Sequence, residues 1–76
     1  MNFPQYRKLS NGKSWYKIEN ERNFIEIQLV GSKKFVHLVE AKQYPEMLRI
    51  MEMLDLSMPD ISIVSEEEFN QIAQNN

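Results

Sequence analysis

Apolar and polar residues alternate through much of the first forty positions, and a period of two predicts strands. Residues 24–30, "FIEIQLV", and residues 33–41, "KKFVHLVEA", carry the strongest signal, rich in β-branched and aromatic side chains. Gly31 and Ser32 between them suit a two-residue hairpin loop of type II′. Upstream, "YRKLS" and "SWYKI" flank Asn11-Gly12. Both of those residues tolerate the positive φ that a type I′ turn requires, so this is a second hairpin signal. "ENERN" at 19–23 joins the hairpins, and four strands in a meander is the simplest arrangement.

The period changes after Ala41. Tyr44, Met47, Leu48, Ile50, Met51 and Leu54 recur at three- and four-residue spacing and predict one helical stripe. Pro45 fits the first turn, where its missing N–H costs nothing. Glu46, Arg49, Glu52 and Asp55 take the wet side. Met53 falls off the stripe and is expected to be exposed. Pro59 biases Met58 away from helical geometry and ends the helix. "DISIV" at 60–64 predicts a short strand. Ser65 and Glu68 then have the spacing of a capping box, with Val64 and Phe69 as a hydrophobic staple. Glu66, Glu67 and Glu68 complement the positive end of the helix dipole. This last helix is short, with Phe69 and Ile72 as apolar contacts, and the terminal "QNN" is expected to fray. The fold class is α+β in the order ββββαβα. A four-stranded antiparallel meander of two hairpins carries one long helix on a face, then a short fifth strand and a short C-terminal helix.

A two-residue loop fixes how the central hairpin pairs. Val30 meets Lys33, Gln28 meets Phe35, Glu26 meets His37 and Phe24 meets Val39. One face then collects Ile25, Ile27, Leu29, Val36 and Leu38, with Lys34 at the tip. It is nearly all aliphatic and is expected to be the core side, beneath the long helix. Each large aliphatic side chain buried there contributes roughly 1.5–3 kcal/mol. The other face collects Phe24, Glu26, Gln28, Val30, Phe35, His37 and Val39. The short helix offers too little to cover it, so this mixed face is expected to meet a partner.

Seventy-six residues make one domain, 1–76. A chain this short buries only roughly 60–65% of its unfolded surface, which leaves a thin core. It has no cysteine, so neither a disulfide nor a thiolate is available. The start lacks the apolar run of a signal peptide, and no stretch approaches the roughly 20 apolar residues of a membrane span. These features lead to the expectation of a cytoplasmic protein with no membrane partner. The net charge is −2, unevenly placed. Residues 1–34 hold seven basic and three acidic side chains, +4, and residues 35–76 hold two basic and eight acidic ones, −6. Such asymmetry can steer an acidic partner to the first half, or let two copies attract each other.

Chemistry is sparsely represented. A carboxylate beside an imidazole, as at Glu26 and His37, can orient a general base. No nucleophile elbow, zinc-binding HExxH pair, phosphate-binding glycine loop or calcium loop accompanies it. The pair is therefore taken as a cross-strand stabiliser of about 0.2–1 kcal/mol, with no catalytic residue assigned. Asp55 and Asp60 are better explained as turn and cap residues than as cation ligands. No metal and no cofactor is expected. The leading expectation is a non-enzymatic interaction or assembly module, self-associating or binding another protein. Its candidate contact residues are Phe24, Glu26, Gln28, Phe35, His37 and Val39. The alternative is a single-stranded nucleic-acid binder using Tyr6, Lys8, Trp15 and Lys17. The Asn-Gly hairpin places Lys8 opposite Trp15 and Tyr6 opposite Lys17 on one face. Interleaved basic and aromatic residues can stack bases and hold phosphates. They can equally form a cation–π ladder, and the chain lacks the strongly basic character of most nucleic-acid binders.

Overall fold

The alternating runs form strands and the three-four stripe forms a helix in the computed structural model, which describes residues 2–74. In chain order the elements are β1 (Gln5–Leu9), β2 (Ser14–Ile18), β3 (Asn23–Val30), β4 (Lys33–Glu40), α1 (Tyr44–Asp55), β5 (Ile61–Ile63) and α2 (Glu66–Gln74). All strands join one antiparallel sheet in the order β4-β3-β2-β1-β5. The meander is thus extended by β5, which pairs along β1 with Leu9 opposite Ile61. Of the terminal Gln-Asn-Asn, Gln74 closes α2 and the asparagines lie outside the described residues.

Both hairpins have the expected pairing: Glu26 lies opposite His37, and Lys8 opposite Trp15. Gly31 adopts φ +62° while Ser32 does not turn positive, as a type II′ loop asks. The first hairpin differs from expectation. Gly12 alone has positive φ there, +71°, so the turn is not type I′. Instead the Gly12 N–H donates to the Leu9 carbonyl at 3.1 Å. The Asn11 side-chain oxygen accepts from the Lys13 N–H at 2.8 Å. An asparagine that can bond its own backbone two residues on needs no left-handed conformation.

The helices lie on opposite faces of the sheet. α1 packs Ile50 and Met53 against Tyr16, Ile18 and Phe24. α2 packs Phe69, with Val64 just before it, against Trp15 and Ile27. This overturns the expected assignment of faces. The mixed face, with Phe24 only 2% exposed, is the one beneath the long helix. On the aliphatic face α2 covers Ile27 and part of Leu29 and meets Lys34 of β4 through the Ala73 carbonyl, but the cover ends short of Val36 and Leu38. Nine residues of helix are about 14 Å long, whereas five strands spaced about 4.8 Å apart make a wider sheet. Val36 and Leu38 on the outermost strand are left 55% and 79% exposed.

The helical stripe is also rotated from expectation. Met53 is 1% exposed, while Tyr44, Leu48 and Met51 face outward. Three residues of helix return to within about 60° of the same side, so Ile50 and Met53 bury together. Glu46 caps the start of α1, its carboxylate accepting from the N–H groups of Lys42 and Gln43 at 3.1 and 3.3 Å. Leu56 ends the helix in the left-handed conformation, φ 56°, and the Ser57 N–H closes back on the Glu52 carbonyl. At the start of α2 the Glu68 N–H donates to the Ser65 hydroxyl oxygen at 3.0 Å, as expected. The return half of that capping box is not made: the Glu68 carboxylate reaches Lys8 and Trp15 instead.

One buried charge ties sheet to helix. Arg7 of β1 is 3% exposed, and its guanidinium has no carboxylate partner among the described residues. It serves carbonyls instead. Nε donates to Met53 at 2.9 Å, Nη1 to Tyr6 at 2.8 Å and, more loosely, Nη2 to Leu54 at 3.5 Å. Met53 and Leu54 belong to the last turn of α1, whose carbonyls have no partner within the helix and carry the negative end of its dipole. Burial pushes the Arg7 pKa below its ordinary value.

Candidate interaction surface

The six residues expected to form a contact surface are divided by the fold. Phe24 belongs to the core, and Val39 is half-buried against the same cluster. Glu26 is half-buried and pairs with Arg49 of α1 at 3.6 Å, so its partner is not His37. The Arg49 guanidinium lies 5.5 Å from the centroid of the Tyr16 ring and 5.6 Å from that of Phe24, and donates to the Tyr16 hydroxyl at 3.2 Å. Burial, then the nearby Glu26 charge, pushes the Tyr16 phenol up, so it stays neutral. This is an arrangement for holding α1 on the sheet, with every polar group engaged. Gln28, Phe35 and His37 remain at the surface, together with Val30.

The basic and aromatic quartet of the first hairpin does share one face, but α2 lies across it. Trp15 is 7% exposed and its indole N–H donates to Glu68 at 3.3 Å. Tyr6 packs on Phe69 with ring centroids 5.3 Å apart, and Lys8 pairs with Glu68 at 3.3 Å. Lys17, on the same face, is half-buried. The ring that would stack a base is therefore packed inside the protein. Two hydrogen bonds to the Glu68 carboxylate, from Trp15 and then Lys8, hold its pKa below the usual range.

What stands open is β4. Its inner edge pairs with β3, its outer edge pairs with no strand among the described residues, and side chains on both of its faces reach solvent. Phe35 and His37 project on the α1 side, Val36 and Leu38 on the α2 side. Val36 and Leu38 were expected in the core, and the sequence does carry a signal against it: the last strand of a meander is a sheet edge, and a nine-residue helix is too short to cover its whole length. A separate cleft of about 390 Å³ lies beside α1, walled by Phe3, Met47, Ile50, Met51 and Leu54, with Glu21, Arg22 and Asp55 at its rim. It can take an apolar side chain, and it brings together no nucleophile and base. Among the described residues, no three histidine or carboxylate side chains converge as a metal site would require. Among the described residues no helix is long and apolar enough to cross a membrane. Comparison of the chain with protein-family models, with curated proteins and with solved structures finds no match.

Proposed function

We propose that this chain is a non-enzymatic protein-interaction module whose binding element is β4. One observation carries the reading: in an eight-residue edge strand the central Phe35, Val36, His37 and Leu38 are all exposed, on alternate faces, and no strand among the described residues pairs along its free edge. Sheet edges of this kind are templates for another strand, because their backbone N–H and C=O groups lack partners. Folded proteins blunt such edges with proline, bulges, central charges or brevity. β4 has full length and no proline, and its charges sit at the ends, leaving Phe35-Val36-His37-Leu38-Val39 between them. Main-chain pairing supplies affinity, and Val36 and Leu38 supply apolar contact.

The test compares tagged wild type with the double variant Val36→Asp/Leu38→Asp, in an extract of the source cells to which a second, differently tagged copy is added. Both side chains are solvent-exposed, so the variant is expected to keep the wild-type circular dichroism. Wild type is expected to retain a protein, or the second copy, that the variant loses. Equal retention by both, or none by either, rejects the proposal.

A further inference from the structure

We infer that the partner of β4 is a second copy of the same strand, paired antiparallel about a two-fold axis through His37. This rests on the reading of β4 as a binding element and adds its occupant and register. The backbone fixes which residues have outward hydrogen-bonding groups. The Leu29 N–H donates to the Lys13 carbonyl, toward β2, and the Ala41 N–H donates to the Arg22 carbonyl, back toward the β3 side. Main-chain groups alternate in direction along a strand. Those of Phe35, His37 and Val39 therefore face β3, and those of Lys34, Val36, Leu38 and Glu40 face outward.

A two-fold axis perpendicular to the sheet keeps like faces together and allows only pairings in which outward residues meet outward residues. Centred on His37, it uses all four. Lys34 opposes Glu40 of the second copy and Val36 opposes its Leu38, each pair twice by symmetry. Shifting the centre to Val36 or Leu38 leaves Glu40 or Lys34 without a counterpart within β4. Charge points the same way. The strand begins Lys33-Lys34 and ends Glu40, so antiparallel pairing sets unlike charges opposite one another and parallel pairing sets like charges together. Glu40 is exposed and, among the described residues, pairs with Lys42 at 3.5 Å on the surface. Lys34 donates to the Ala73 carbonyl near the end of α2, which holds its ammonium on the α2 side of the strand. On the α2 side the four side chains Val36, Leu38 and their symmetry mates become contiguous. An interface one strand wide is small, so dissociation on the order of micromolar is expected.

The experiment is sedimentation equilibrium on the full chain from about 1 to 500 µM, with charge reversals as the probe of register. Wild type is expected to pass from a 9.1 kDa species to twice that mass. Glu40→Lys sets lysine against Lys34 twice and is expected to weaken the dimer roughly tenfold. Lys34→Glu is expected to do the same, and the double reversal Lys34→Glu/Glu40→Lys to restore association. His37→Cys, in a chain with no other cysteine, gives two thiols on opposed residues with Cα atoms about 4.5 Å apart, within disulfide reach. It is expected to cross-link under mild oxidation, while Ser32→Cys at the hairpin tip is not. A chain monomeric throughout overturns the inference. A dimer indifferent to the reversals, or one that cross-links no better through position 37 than through 32, overturns the register. In either case the interaction reading survives if the extract experiment retains a different protein that Val36→Asp/Leu38→Asp loses.

Discussion

Replacing Arg7 by methionine tests whether a lone buried guanidinium holds α1 to the sheet. Methionine keeps much of the apolar stem and removes the five N–H donors. Two short hydrogen bonds are lost, to Met53 at 2.9 Å and to Tyr6 at 2.8 Å, and two longer ones, to Leu54 at 3.5 Å and the Gln5 side chain at 3.3 Å. A hydrogen bond to a charged group contributes about 1.5–3 kcal/mol, so the two short ones sum to roughly 3–6 kcal/mol. Set against this is the desolvation of the guanidinium, which methionine does not incur and which can offset much of a buried charge's contribution. The difference is that the carbonyls of Met53 and Leu54 stay where they are, at the negative end of a helix with no basic residue of its own in the last turn. Stripped of donors, they carry their own desolvation cost. A net loss of roughly 2–4 kcal/mol is expected, a large share of the stability of a domain this size. Urea unfolding followed by far-ultraviolet circular dichroism measures it, with the m-value checked for an unchanged transition. A loss below about 0.5 kcal/mol, or a gain, refutes the reasoning: apolar packing would then serve as well as the charge, as it does for some buried ion pairs.

Three further outcomes follow from the caps and the acid-sensitive pair. Ser65→Ala removes the acceptor for the Glu68 N–H and is expected to cost about 0.5–2 kcal/mol in urea unfolding; a loss under a few tenths would mean the cap contributes nothing. Leu56→Gly relieves a left-handed leucine and is expected to raise stability by roughly 0.5–1 kcal/mol in the same assay, the steric relief exceeding the added chain entropy. Glu68 has a depressed carboxyl pKa, first through Trp15 and then Lys8, so its contribution is present above the unfolded-state carboxylate pKa and is lost as pH falls through the folded one. The urea midpoint of Glu68→Gln is therefore expected to fall less than that of wild type between pH 7 and pH 3.

Element order and strand pairing were legible because they depend on local signals. Glycine at one loop position set the Phe24–Val39 ladder, and a one-residue slip would have turned every side chain over. Which face each helix covers was not legible, because that depends on where a chain lands after a connection rather than on periodicity. Phe24 and Val39 offered α1 enough apolar surface on the mixed face, and Trp15 with Ile27 offered α2 its own. The stripe from Tyr44 to Leu54 is broader than the arc a single sheet can bury, so periodicity admitted several rotations. Arg7 marks the one adopted, since its bonds to Met53 and Leu54 require the end of α1 to sit over β1. The surface reading shifted accordingly: Phe35 and His37 stayed outside, Phe24 went inside, and Val36 and Leu38 took its place.

The far side of the sheet has a consequence for growth. β5 is only three residues long, and it follows directly on Pro59 and Asp60, so it offers an incoming strand little to pair with. A molecule with two competent edges polymerises, each addition exposing a fresh site. A molecule with one competent edge is a chain terminator: when two such edges meet, none is left, and assembly halts at a pair however concentrated the protein becomes. Under the proposed pairing through β4, the brevity of β5 sets an upper limit on stoichiometry, and lengthening it is the change that converts the proposed pair into an open-ended fibre.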